Sequence, residues 1–342
     1  MQAPIAVYGA TGHTGTLVTA ELSRRGHDVV LGGRSRADLD VLRDRLDTPV
    51  EVVPAALDDR AALRELTANA AVVINCAGPF ATTGEPVASA AIETGTHYLD
   101  HSAEPPYVKR VFDTLAADAR SAEVVVVPGM SFYGALADLL ADRVAADLPV
   151  VEDLTVAYAI RGWRMTAASK ATALALSGSE RLQFTGGSLQ VAPARTELAT
   201  FAFPEPVGTQ SVVVDYPGAE VLTIPRHVAV QTMRVVMTVD TFASDTVFDS
   251  DDVDPADRAS SSFLLAVRAA SPGPTRLGHL QGHDIYGTGA AVAVEAATRL
   301  AADTGSTPRG VLAAAEAFPA VELLDTLAER GLVHGPETPH AP

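Results

Sequence analysis

Ile5-Ala6-Val7-Tyr8-Gly9-Ala10-Thr11-Gly12-His13-Thr14-Gly15 decides how the rest of the chain is read. Four apolar residues make a buried-strand run. Three glycines at three-residue spacing follow. Then Leu17, Val18 and Leu22 recur with helical period until Gly26 stops them. Gly9 permits a tight turn out of the strand, Gly12 lets backbone approach a pyrophosphate, and Gly15 lets the helix pack on the strand. The helix start offers unpaired N–H groups and partial positive charge to phosphate oxygens. Thr11, His13 and Thr14 lie between the glycines and join the expected cofactor-binding set. Three glycines alone are weak evidence; their weight comes from following the first strand of a βαβ series.

That series continues outward. Short apolar runs at 28–31, 50–53, 71–76, 97–100 and 123–127 alternate with helical patterns at 37–46, 60–67, 86–93 and 106–120. Near-continuous Val and Ile runs between helices suit a parallel sheet covered on both faces. After a helical pattern at 135–146 the grammar changes. Alternating strands at 154–160, 189–192, 199–203, 212–216, 227–239, 260–270 and 276–282 are separated by Gly and Pro, with a turn at Ser271-Pro272-Gly273-Pro274. Helical patterns return at 290–302 and 320–329. The fold class expected is α/β, a Rossmann doubly wound parallel sheet with an inserted α+β domain containing a mostly antiparallel sheet. The expected divisions are 1–149 for the dinucleotide domain and 150–285 for the insertion. Residues 286–334 are read as helices returning to the first domain, and 335–342 as a tail. The acidic stretch 245–257 reads as a solvated loop.

The 342 residues carry 25 basic and 42 acidic side chains, a net charge of -17, which disfavours nucleic acid and anionic lipid as partners. A lone cysteine, Cys76, excludes a disulfide scaffold and suits a reducing cytoplasm. Nothing resembles a membrane span or a signal peptide. His279 and His283 stand four apart in a strand-like segment, so no metal site is expected.

The end of the second strand selects the cofactor. An NAD enzyme usually carries Asp or Glu there for the ribose 2′-hydroxyl; this chain has Gly33-Arg34-Ser35-Arg36. Gly33 leaves space, Arg34 can pair with a 2′-phosphate, and Ser35 can donate to it. The reading is NADP(H), against the plainer one in which Arg34 and Arg36 are surface charges.

Together, Gly9–Gly15, Gly33-Arg34-Ser35, Asn75-Cys76-Ala77-Gly78-Pro79-Phe80, Gly84-Glu85-Pro86-Val87 and Tyr98-Leu99-Asp100 with Glu104 resemble the saccharopine dehydrogenase-like oxidoreductase family. That group includes saccharopine reductases and trans-acting enoyl reductases. The resemblance implies NADP(H), hydride transfer and a Rossmann domain with an inserted sheet-containing domain. Pro128-Gly129-Met130-Ser131-Phe132-Tyr133-Gly134 departs from the Gly-Phe-Asp-Ser-x-Pro pattern of several members, so the chain looks like a short branch.

In a doubly wound sheet the carboxyl ends of the strands face the ligand crevice. Asn75, Ala77, Gly78, Pro79 and Phe80 are therefore expected to line the cofactor. Tyr133, Tyr98 and His101 are the candidate catalytic proton donors. Asp100 and Glu104 reach the same edge, where capping of the next helix is the reading preferred to catalysis. The function expected is an NADPH-dependent reductase of a C=N, C=O or polarised C=C bond in a small, biosynthetic substrate, working as a homodimer. The alternative is a non-catalytic NADP(H)-sensing protein.

Overall fold

The structure is a computed structural model that describes residues 3–46, 48, 50–177, 181–194, 197–249, 253–273 and 275–337. Its elements run β1 (Ile5–Tyr8), α1 (His13–Arg24), β2 (Val29–Gly33), α2 (Arg36–Arg43), β3 (Val50–Pro54), α3 (Arg60–Ala68), β4 (Val72–Asn75), α4 (Phe80–Thr94), β5 (His97–Asp100), α5 (Pro105–Ser121) and β6 (Val125–Val127). There follow α6 (Ala135–Ala145), β7 (Val151–Arg161), α7 (Ala167–Leu176), β8 (Arg181–Thr185), β9 (Ser188–Ala192), β10 (Leu198–Ala202), β11 (Thr209–Val213), α8 (Glu220–Thr223) and β12 (Val230–Thr238). The chain closes with α9 (Pro255–Ala259), β13 (Ser262–Ala270), β14 (Arg276–His283), α10 (Ile285–Ala301), β15 (Gly310–Val311), α11 (Ala314–Ala317), α12 (Ala320–Glu329) and β16 (His334–Glu337).

Two compact units result. The first comprises Met1–Ser102, Pro106–Phe132 and Gly289–Leu312. Its seven strands lie in the order β15-β6-β5-β4-β1-β2-β3, all parallel. Every residue of β1, β2 and β4 is buried, as strands covered on both faces must be. From β1 the chain steps to β2 on one side and later to β4 on the other. That reversal is the topological switch point, and it brings the segments after β1, β2, β4, β5 and β6 to one edge of the sheet. Helix α10 enters this unit from Gly289 onward. Arg25 Nη1 donates to Glu295 at 2.8 Å, and Thr298 Oγ1 and His27 Nε2 are 3.0 Å apart.

The second unit comprises Ala103–Pro105, Tyr133–Thr288 and Ala313–Pro342. Its sheet runs β10-β11-β12-β7-β13-β14-β16, with the β8–β9 hairpin attached to β12. Among the described residues of this sheet only β7 and β12 pair in parallel; the other ladders are antiparallel. Helix α6 lies on β13 and β14, where a Cβ on Gly278 would meet Val144 at 2.4 Å. Helices α11 and α12 pack on α6: Ala315 N donates to Asp138 at 2.8 Å, and Arg143 pairs with Asp325.

The structure differs from the sequence reading at several bounds. The first unit ends at Phe132 rather than 149, because α6 is apolar enough to cover the second sheet. Leu136, Leu139, Leu140 and Val144 are fully buried. Of the two strong closing helices only α10 reaches the first unit; α12 belongs to the second. Residues 335–337, expected in a tail, belong to β16 against β14, and 338–342 lie outside the described residues. Helix α4 starts at Phe80, not at Pro86, so Pro86 is internal. The turn at 271–274 joins paired strands β13 and β14, its Pro274 lying outside the described residues. Within 245–257 two short helical turns, Asp245–Phe248 and Pro255–Ala259, break the expected loop; 250–252 lie outside the described residues.

Candidate active site

The β1–α1 loop holds three glycines that do different work. Gly9 has φ +73, a conformation that favours glycine, and a Cβ there would meet Ala77 at 2.9 Å. At Gly15 a Cβ would come within 2.1 Å of the Gly9 carbonyl oxygen and 2.7 Å of Ala10 Cα. Packing alone explains both residues. It does not explain Gly12, whose φ is -74 and whose Cβ would touch only the Gly9 oxygen, at 3.3 Å. Gly12 is exposed and is the N-cap of α1, with no side chain capping the helix. Thr11 beside it is exposed; His13 and Thr14 are half-buried. The start of α1 is thus left open to an anion.

At the end of β2, Gly33 closes the strand and Ser35 caps α2, accepting from Asp38 N at 3.3 Å. As an acceptor there, the Ser35 hydroxyl still has its proton to donate. Arg36 pairs with Asp40, which makes it a helix-surface charge. Arg34 is exposed and makes no hydrogen bond or ion pair among the described residues.

The segments after β4 and β5 are tied by one buried polar network. Asp100 is fully buried. Its Oδ2 accepts from Tyr107 Oη at 2.7 Å and Tyr98 Oη at 3.0 Å; its Oδ1 accepts from Gly129 N at 2.8 Å and Ser102 N at 2.9 Å. Asn75 Nδ2 donates to Tyr98 Oη at 3.1 Å, and Asn75 Oδ1 accepts from Ala77 N at 3.0 Å. Burial raises the Asp100 carboxyl, against the donors Gly129, Ser102 and Tyr107. Burial, then Asp100, holds the Tyr98 phenol well above its ordinary range. Tyr98, expected as a proton donor, is buried in the first unit's core and donates to Asp100. Asn75 is likewise interior: it shapes the Ala77 turn from behind.

In front of that network lie Ala77, Gly78 and Pro79, all half-buried, and Phe80, which is 7% exposed and packs on Tyr107 at 6.0 Å between centroids. Pro79 caps α4, and Thr83 Oγ1 donates to the Ala77 carbonyl. Burial, then Asp100, keeps the Cys76 thiol far above its ordinary range, protonated and inert. His101 sits at the same edge with Nδ1 3.0 Å from Ser131 Oγ, and its Nε2 is buried without a partner. Burial lowers its pKa to about 4, so the ring is neutral at physiological pH.

Tyr133 opens the second unit. Its ring packs against Tyr158, Trp163 and Tyr216 at 5.1, 6.1 and 6.4 Å. Desolvation, then Tyr216, Tyr286 and Glu220, keeps its phenol well above the ordinary range, neutral across the physiological window.

Sequence reasoning missed Tyr107, Ser131 and Gly289. Gly84 was the available signal for the first, since a Cβ there would sit 2.3 Å from the Tyr107 ring. Gly289 is forced by the Ser131–Phe132 turn, 2.9 Å from a Cβ at that position. Among the described residues no group of His, Cys, Asp and Glu is arranged to hold a metal, and no helix is long and apolar enough to cross a membrane.

Residues 5–127 match the family described as saccharopine dehydrogenase NADP binding domain. A saccharopine dehydrogenase-like oxidoreductase of Homo sapiens is 32% identical over a match covering 40% of this chain and 35% of that one. A lipid droplet localized protein of Caenorhabditis elegans is 32% identical, with 40% and 34% covered. The match therefore spans about a third of the length of these relatives. The structure of apo saccharopine dehydrogenase (L-Glu forming) from Saccharomyces cerevisiae shares the fold over 99% of this chain and 100% of that chain. The TM-score is 0.66 and the identity 14%.

Proposed function

We propose, from the match of residues 5–127 to the saccharopine dehydrogenase NADP binding domain family, that the chain is an NADPH-dependent reductase of a C=N, C=O or polarised C=C bond in a small organic substrate. The observation that carries this is the open, glycine-cradled start of α1 together with an exposed Arg34, without a partner among the described residues, where an NAD enzyme would place an acid. NADPH supplies the hydride when bound.

The chain's residues have separate tasks. The α1 N-terminus, from Gly9 through Thr11, Gly12, His13 and Thr14 to Gly15, holds the pyrophosphate with backbone N–H groups. Gly33 leaves room for the adenosine, while Arg34 and Ser35 take the 2′-phosphate. Ala77, Gly78, Pro79 and Phe80 wall the nicotinamide end, with Asn75 setting their turn from behind. His101, neutral and anchored by Ser131, offers a ring nitrogen rather than a charge. Tyr133 supplies the proton when the product is an alcohol or a saturated carbon; an iminium acceptor needs none. A phenol suits that task because it enters an apolar site without carrying charge.

A biosynthetic role, a cytoplasmic setting and a homodimer belong to the same reading. The lone thiol suits a reducing compartment. Leu174, Val191 and Leu198, all in the second unit, are exposed apolar positions that self-association would cover. Sedimentation at micromolar concentration tests the dimer. The function itself is tested by fluorescence titration with NADPH and NADH, followed by NADPH absorbance against a panel of imines, ketones and enoyl compounds. Preferential NADPH binding and oxidation with one acceptor class is expected; absence of NADPH binding refutes the reading.

A further inference from the structure

The chain is poor in aromatic residues, at 5%, yet the second unit gathers Tyr133, Tyr158, Tyr216, Tyr286, Phe242 and the single tryptophan, Trp163, around one point. A carboxylate stands among them. Glu220, at the start of α8, is 1% exposed. Its Oε1 accepts from Tyr158 Oη at 2.5 Å and from Gly134 N at 3.1 Å, and its Oε2 is buried with no hydrogen-bond partner among the described residues. Gly218 makes room for it, since a Cβ there would lie 2.2 Å from Oε2.

Both donors to Glu220 flank Tyr133. Gly134 is the next residue, held at φ 85 and ψ -83 where it caps α6. Tyr158 presses its ring on the Tyr133 ring, centroids 5.1 Å apart. One carboxyl oxygen thus fixes Tyr133 from the backbone and from the ring side. A buried carboxyl with an empty oxygen is costly to keep for packing alone; an apolar side chain would fill that space at lower cost.

We propose that Glu220 is the positioning residue of Tyr133, holding the turn and the ring wall that aim its phenol. This rests on the reading of Tyr133 as proton donor. Burial keeps the Glu220 carboxyl above the ordinary carboxylate range, despite the donors Tyr158 and Gly134. The neutral acid form is thereby favoured, which avoids an uncompensated charge beside the neutral phenol.

The test does not require a known substrate. The full chain is prepared with ring-carbon-labelled tyrosine, and the Tyr133 signal is assigned by its loss in Tyr133→Phe. Glu220→Ala should displace or broaden that signal, while NADPH affinity stays within twofold. Glu220→Gln keeps an acceptor oxygen for Gly134 and Tyr158, so it should restore the signal. Tyr158→Phe removes one of the two donors and should move the signal too, which serves if Glu220→Ala does not fold. A Tyr133 signal unmoved in Glu220→Ala, or in Tyr158→Phe, overturns the inference, as does Glu220→Gln behaving like Glu220→Ala. Turnover with NADPH and an accepted ketone separates the two claims. Glu220→Ala should lower kcat about tenfold or more with KM for NADPH unchanged. A displaced signal with full kcat refutes Tyr133 as the donor and not its positioning by Glu220.

Discussion

Replacing Gly12 by alanine should abolish tight NADPH binding without harming the fold. A Cβ at Gly12 meets only the Gly9 carbonyl oxygen, at 3.3 Å, and the backbone φ of -74 is open to any L residue. Alanine caps a helix less well than glycine by about 0.5–1 kcal/mol, and a stiffer unfolded chain returns about 0.4–1 kcal/mol. Those terms nearly cancel, so the melting temperature should move by no more than about 2 °C. The new methyl instead occupies the approach to the α1 N–H groups. Losing one charge-assisted hydrogen bond to phosphate costs about 1.5–3 kcal/mol, or roughly 10- to 150-fold in Kd. Gly15→Ala is the contrasting control. Its Cβ would sit 2.1 Å from the Gly9 oxygen and 2.7 Å from Ala10 Cα, both backbone. Neither atom can yield without parting α1 from β1, so about 3 kcal/mol or more of stability should be lost. Thermal melts and NADPH fluorescence titrations on the two variants decide the matter. Wild-type NADPH affinity in Gly12→Ala would refute the reasoning, and so would wild-type stability in Gly15→Ala.

Arg34→Ala should weaken NADPH by roughly 10-fold or more while leaving NADH unchanged, and it should flatten the salt dependence of NADPH binding; equal losses for both cofactors would place Arg34 elsewhere. Burial alone would lower His227, but Asp138 at 3.1 Å and Asp142 at 3.4 Å outweigh it and raise its pKa to about 10. The stability it contributes is therefore complete below pH 6.5 and lost as pH rises through about 10; urea melts at pH 7 and 10 should show a fall that His227→Gln abolishes. Burial holds His101, and likewise His97, near pKa 4, so each contributes stability above pH 6.5 that is lost as pH falls through about 4. His101→Phe should shrink that acid-side loss in melts at pH 7 and 4, and an unchanged loss would contradict the buried neutral ring. Tyr98→Phe leaves Asn75 and Asp100 short of a partner and should cost about 1–3 kcal/mol in urea unfolding, whereas Tyr133→Phe should spare stability and cut turnover about 100-fold or more. Turnover falling with Tyr98→Phe alone would reverse that assignment.

The cofactor loop was legible because its causes are local. Turn, close approach and helix start each demand glycine at a fixed offset from one strand, and all three offsets fall within Gly9–Gly15. The continuous apolar runs of β1, β4 and β6 carried the parallel sheet for the same reason, since burial on both faces leaves its mark residue by residue. Arg34 was legible as a candidate, yet its difference from Arg36 was not. That rested on Asp40, one helical turn along α2, claiming Arg36 and on nothing among the described residues claiming Arg34.

The assignment of hydroxyls and helices needed the tertiary structure. Tyr98 and Tyr133 look alike in sequence, each a tyrosine just inside or just beyond a strand end. Tyr98 turns inward to Asp100 and Asn75 because Tyr107, from α5, closes over Gly84 and seals the network; Asp100 stands two residues away, but Asn75 lies 23 residues off and the α5 wall is visible only in the fold. Pro86 signals a helix start by local rule, but Phe80 packing on Tyr107 and Thr83 reaching the Ala77 carbonyl carry α4 back six residues. Helices α10 and α12 carry equally strong periodic patterns, and only the surfaces they meet assign one to each unit. Sequence alone determined the elements whose reason lies within a few residues: the glycine loop, the buried strands and the helical periods. Tertiary structure decided which polar groups are tied into the core, because a hydrogen bond satisfied from far along the chain leaves no periodic trace.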